Sequence, residues 1–146
     1  MRKFILLAAV LSMFVFAGCG EDGEGGITCG GGVPPVLTDF ITAGSLSNAE
    51  NGIAKNSFNL SEKIYFGFTL TDIDLDSYLM FFTVKDGSTT VDSDSNELEA
   101  QGNDVTATYR GEYGRAAGTG TFTITMYVED KKCNKSNSLS QIIVVH

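Results

Sequence analysis

Three aspartates at alternate positions, Asp72, Asp74 and Asp76, set out oxygen donors of the kind that a hard cation such as Ca2+ takes. A helix–loop–helix calcium loop would need glycine at its sixth position and a bidentate glutamate at its twelfth. The chain has Ser77 and Thr83 there, so that motif fails. Two readings stay open: a calcium-binding loop built some other way, or solvated acids in a chain that carries 18 acidic residues. The three cysteines are Cys19, Cys29 and Cys133, each a thiol that can be acylated, oxidised or left free.

Other chemistry is sparse. His146 is the one histidine, and neither a Gly-x-Ser-x-Gly elbow nor a His-Glu-x-x-His pair occurs, which argues against serine hydrolases and zinc peptidases. Gly30-Gly31-Gly32 lacks the Lys-Ser/Thr end of a phosphate-binding loop and runs into prolines instead of a helix. Carboxylate pairs suited to glycoside hydrolysis arise by chance at this acidity, so no enzyme is expected.

The positioning elements begin at the N-terminus. Arg2 and Lys3 precede an apolar run from Phe4 to Ala17 broken only by Ser12, the charged and hydrophobic regions of a secretory signal. The run is shorter than the roughly 20 residues a helix needs to cross a bilayer. It ends in Phe16-Ala17-Gly18-Cys19, which resembles the lipobox of bacterial lipoproteins, with Phe16 in place of the commoner leucine. The resemblance implies cleavage after residue 18 and a diacylglycerol on the thiol of Cys19, with palmitate-type chains holding the protein to a membrane. Several acyl chains, at about 0.8 kcal/mol per buried methylene, give lasting attachment without a transmembrane helix. Gly20, where inner-membrane lipoproteins carry aspartate, implies the outer membrane. Glu21, Asp22 and Glu24 resemble surface-export signals or simply solvate the segment, so a periplasmic and an outward orientation both stay open.

Residues 19–33 are expected to form a flexible tether, since Gly20 to Gly32 offer almost no apolar surface to offset the entropy of ordering. A glycine-rich linker of this length spans roughly 20 Å. Pro34-Pro35 closes it, and residues 34–146 make one domain. With Arg2 and Lys3 removed along with residues 1–18, the charge falls from −8 to a net −10, which repels phosphate backbones and excludes nucleic acid as a partner. Lys131, Lys132 and Lys135 read as a solvated loop.

Within 34–146 the pattern is all-β. Ile64, Phe66, Phe68 and Leu70 alternate with smaller or more polar residues, and Phe122 to Val128 repeats the period of two with threonines between. These two are expected as central strands. Others are expected at Val36–Ile41, Phe58–Leu60, Tyr78–Val84, Thr89–Val91, Val105–Tyr109 and Leu139–Val145, with a hairpin turn at Asp86-Gly87, a weaker turn signal at Asn51-Gly52, and no helix. Seven or eight short strands fit an antiparallel two-sheet sandwich, and a closed barrel satisfies the same alternation.

The stretch from Phe58 to Asp74, and Gly118-Thr119-Gly120-Thr121-Phe122-Thr123-Ile124-Thr125-Met126-Tyr127-Val128-Glu129-Asp130, resemble bacterial immunoglobulin-like domains, although no tryptophan and no inter-sheet cysteine pair is present. That resemblance implies that the loop at Glu129-Asp130 lies at the same end as Asp72, Asp74 and Asp76, so Asp130 joins them as a candidate calcium ligand. It also implies that the first strand starts where the last two strands join, bringing Cys29 near Cys133. In an oxidising envelope a Cys29–Cys133 disulfide is then expected, with free thiols or a bridge to another chain as alternatives. The functional expectation is a non-catalytic binding or scaffold module for an unknown protein or glycan at the cell envelope. The alternatives are a calcium-dependent glycan- or protein-binding module and, behind it, a cryptic envelope enzyme, and Tyr65, Tyr113 and Tyr127 are candidate outward aromatics for sugar stacking.

Overall fold

A computed structural model describes residues 29–99 and 101–146. The signal segment, Cys19 and the tether up to residue 28 lie outside the described residues. Eight strands form two sheets. Strands β1 (Val36–Ala43), β3 (Lys63–Thr71) and β6 (Thr106–Arg115) make a three-stranded sheet in the order β1-β3-β6. Strands β2 (Ser57–Phe58), β4 (Ser77–Asp86), β5 (Thr89–Glu97), β7 (Gly120–Asp130) and β8 (Leu139–Val145) make the other, in the order β2-β8-β7-β4-β5. The chain crosses between sheets at β3 to β4, returns at β5 to β6 and crosses again at β6 to β7. This is the Greek-key connectivity of an immunoglobulin-like sandwich.

Period-two alternation builds the core. Ile64, Phe66, Phe68 and Leu70 of β3 face Met80, Phe82 and Val84 of β4 and Phe122, Ile124, Met126 and Val128 of β7, all buried. The two strands expected to be central are so: β3 lies between β1 and β6, and β7 between β4 and β8. No barrel closes, because β5 pairs only with β4 and β6 only with β3.

Four details differ from the sequence reading. First, β2 pairs with β8 in parallel, through Ser57↔Val144 and Phe58↔Val145, so the sandwich is antiparallel except at this short edge. Second, a five-residue helix α1 (Leu46–Glu50) follows β1. The Ser45 hydroxyl caps it by accepting from the Asn48 N–H, and Asn51-Gly52, read as a turn signal, terminates it. A helix this short leaves no periodic signal. It lies over β3 at Gly67, where a Cβ would come within 3.2 Å of the Ala49 carbonyl oxygen. Third, β5 runs on to Glu97, and its polar residues 92–97 hid it because an edge strand need not alternate. Fourth, the β4–β5 hairpin turns on Gly87-Ser88, with Asp86 paired to Thr89 and Gly87 at φ 58°.

Candidate functional site

The β3–β4 and β7–β8 connections meet at one end of the sandwich, which places Asp72, Asp74, Asp76 and Asp130 in neighbouring loops. Their oxygens, however, are turned onto protein donors. Asp72 is fully buried: its Oδ1 accepts the N–H of Asp74, and its Oδ2 accepts the N–H groups of Asp76 and Ser77 and the Ser77 hydroxyl, at 2.7–3.1 Å. Asp130, also buried, accepts the N–H groups of Lys132 and Asn134 and the Asn134 side-chain amide. Each carboxylate folds its own loop, as short acidic side chains do when backbone donors lack a strand partner.

Lys132 ties the two loops together, its Nζ lying 3.2 Å from both Asp74 Oδ2 and Asp76 Oδ2. The N–H of Val33 and then Lys132 hold the Asp74 carboxyl below its ordinary value, and Asp76 and then Asp74 raise the lysine. Of the oxygens of these four aspartates, Asp76 Oδ1 is the one buried without a donor among the described residues. Calcium takes about six to eight oxygens, and among the described residues no three acidic, cysteine or histidine side chains come together to hold a metal. The four aspartates expected as calcium ligands are thus engaged by Lys132 and by donors of their own loops.

Cys29 and Cys133 are joined by a disulfide, with their α-carbons 5.1 Å apart across 104 positions of sequence. The segment ahead of Pro34 is docked as well: Gly30 N–H donates to the Lys132 carbonyl, Asn134 Nδ2 to the Gly31 carbonyl, and Val33 N–H to Asp74. Among the described residues, contact with the sandwich thus reaches at least five residues ahead of the expected boundary. The basic trio is not a free loop face, since Lys132 is engaged as above and Lys135 reaches Glu129 at 3.9 Å.

A second surface lies on the water-facing side of the five-stranded sheet. In β4 and β7 the residues between the core positions point outward, and the register sets Phe81 beside Tyr127. Their rings stack with centroids 4.7 Å apart and planes 8° from parallel, and Lys135 Nζ lies over the Tyr127 ring, 5.2 Å from its centroid. On the β5 side of Phe81 a shallow groove of about 340 Å³ is lined by Phe81, Tyr127, Thr83, Ser93 and Ser95. Of the tyrosines expected to point outward, only Tyr127 belongs to this surface. Tyr65 lies in β3, in the other sheet. Tyr113 turns inward, its ring edge-on to Phe82 and its hydroxyl donating to Asp92 at 2.6 Å. Burial and that bond raise its pKa well above the ordinary tyrosine range. Phe81 was missed, although the alternation of Met80, Phe82 and Val84 already turned it outward.

His146 is held at both backbone and side chain. Its backbone pairs with Phe58 and Leu60, and its Nε2 lies 2.9 Å from the Ser57 hydroxyl. Among the described residues no carboxylate orients that imidazole, so the pair lacks the third member of a catalytic triad.

No protein-family model matches the sequence, and no curated protein matches it. Among solved structures, a Niemann-Pick type C2 protein from the Japanese carpenter ant shares the fold, with 12% identity and a TM-score of 0.52 over 80% of this chain and 96% of that one. Weaker likenesses are a CARDB domain from Pyrococcus furiosus in complex with di-metal ions (TM-score 0.38, 10% identity, 76% of this chain and 93% of that one) and a β-glucosidase from Listeria innocua in complex with glucose (TM-score 0.41, 12% identity, 76% and 16%).

Proposed function

We propose that this chain is a lipid-anchored protein of the cell envelope, attached to the outer membrane through Cys19, whose sandwich is a non-catalytic binding module for a protein or glycan. The lipobox resemblance of Phe16-Ala17-Gly18-Cys19 and the glycine-rich segment after it support the anchored placement. The observation that carries the binding reading is the stacked Phe81–Tyr127 pair on the open face of the five-stranded sheet. Two aromatic rings set among the hydroxyls of Thr83, Ser93 and Ser95 combine apolar contact area with hydrogen-bonding groups, the composition of recognition surfaces. Calcium has no part in this reading, because the aspartates at the loop end hold their own loops.

The test is affinity capture from cross-linked cells with the intact tethered protein and its Phe81→Ala variant, in buffers with calcium and with chelator. Capture that depends on Phe81 and ignores calcium is the expected result. Equal capture by both proteins would place the ligand elsewhere. Metabolic labelling with palmitate, expected for the wild type and absent from Cys19→Ala, tests the anchor.

A further inference from the structure

The two sheets part along the edge where β5 and β6 run past each other without pairing. A cleft of about 270 Å³ opens there, just below the roughly 300–1,000 Å³ of drug-sized pockets. Phe66, Met80 and Phe82 form its floor, and Tyr113, Asp94 and Glu112 stand at its mouth. The rings do not stack. Phe66 and Phe82 meet at 57° with centroids 4.9 Å apart, and Phe82 and Tyr113 at 68° and 5.5 Å, so they make corners of the kind that let a cation lie against more than one aromatic face. Gly111 keeps the floor in place: a Cβ there would fall 2.7 Å from the Phe66 ring.

The charge at the mouth is unbalanced. Glu112 is neutralised by Lys63 at 2.7 Å, but Asp92 and Asp94, which the register puts on the inner side of β5 opposite the core residues Val84 and Phe82, form no ion pair among the described residues. Asp92 accepts the Tyr113 hydroxyl. Asp94 accepts only the Ser95 N–H and the Asn96 amide.

We propose that this cleft binds a small organic cation, an alkyl- or arylammonium, with its apolar body on Phe66, Met80 and Phe82 and its nitrogen between the aromatic rings and the carboxylate of Asp94, with Asp92 behind the Tyr113 hydroxyl. An anion is repelled there by two carboxylates that lack a cationic partner among the described residues, in a chain of net charge −8, and a neutral molecule leaves them without one. The volume admits one short chain or ring and excludes a diacyl lipid. Inward carboxylates on an edge strand also guard against strand addition, and the experiment separates that role from ligand binding.

15N-labelled full-length protein from the membrane fraction is titrated with 2-phenylethylammonium, with 3-phenylpropionate and 2-phenylethanol as anionic and neutral counterparts of similar shape. The expected result is amide shifts confined to β4, β5 and β6 around the cleft, and affinity for the ammonium at least about tenfold above that for either counterpart. Asp94→Asn, whose spectrum reports that it is folded, should weaken ammonium binding about tenfold, the scale of one partly exposed charge pair in contact with an aromatic cation site. Three probes of equal affinity, no shift at the cleft at tens of millimolar ammonium, or an Asp94→Asn protein that binds as the wild type does would each overturn the proposal.

Discussion

Replacing both Cys29 and Cys133 by serine removes the cross-link without leaving either of its two thiols free. The bridge joins positions 104 apart, so it restricts nearly the whole domain in its unfolded state. For a loop of about 100 residues the chain-entropy model gives about 4.7 kcal/mol. Compactness of the unfolded chain lowers this, and about 3–4 kcal/mol is the expected loss. Part of the native docking persists without the bridge, because Gly30 N–H, Asn134 Nδ2 and Val33 N–H still have their acceptors at 2.8–2.9 Å. Urea unfolding followed by circular dichroism reads the difference. With a slope of about 1.5–2 kcal/mol per molar, the midpoint should drop by about 2 M. A loss under about 1 kcal/mol with an unchanged slope would refute the reasoning, since the unfolded chain would then gain nothing from release.

Asp72→Ala leaves the N–H groups of Asp74, Asp76 and Ser77 without their buried acceptor and should cost about 3–5 kcal/mol in the same assay. Gly111→Ala drives a methyl group into the Phe66 ring and should cost about 1–3 kcal/mol. Acid should destabilise the fold. The carboxyl of Asp74 is held low by Val33 N–H and Lys132, and that of Glu62 by Lys55 and then Asn59 N–H, so their stabilising effect is complete above their unfolded values near pH 4 and is lost as pH falls through the lowered folded ones. Melting temperature measured from pH 6 down to about 2.5 should fall across that window, and less steeply in Asp74→Asn. On the alkaline side the sign reverses: Tyr113 is raised, so stability falls above its unfolded value near pH 10. Phenolate absorbance should show this tyrosine ionising only as the protein unfolds.

What was legible in the sequence is what repeats. Alternation in Ile64 to Leu70 and Phe122 to Val128 located the central strands, since each large residue on one face is buried and its neighbours are not, apart from Gly67, which α1 covers. The edge strand β5 was cut short at Val91 because its acidic stretch has no burial to alternate about. Helix α1 escaped because one turn and a half is set by the Ser45 cap and by the space over Gly67, which belong to tertiary structure. The Asp72-x-Asp74-x-Asp76 spacing marked a real loop, but spacing does not tell whether a carboxylate faces a cation or the chain's own N–H groups. In the structure Asp74 meets Lys132, 58 residues away. The aromatic surface was half legible: Tyr127 was expected to point outward and the alternation in β4 turns Phe81 the same way, but that the two rings are neighbours follows only from the pairing of β4 with β7.

The binding reading is tested most directly by a photo-crosslinking phenylalanine placed in cells at Thr125, on the outer face of the five-stranded sheet beside the aromatic pair, and at Thr69, on the outer side of β3 in the other sheet. The account predicts a discrete adduct from position 125, lost when Phe81 is also replaced by alanine, and none from position 69. An adduct from position 69 alone, or identical adducts from both, would contradict it.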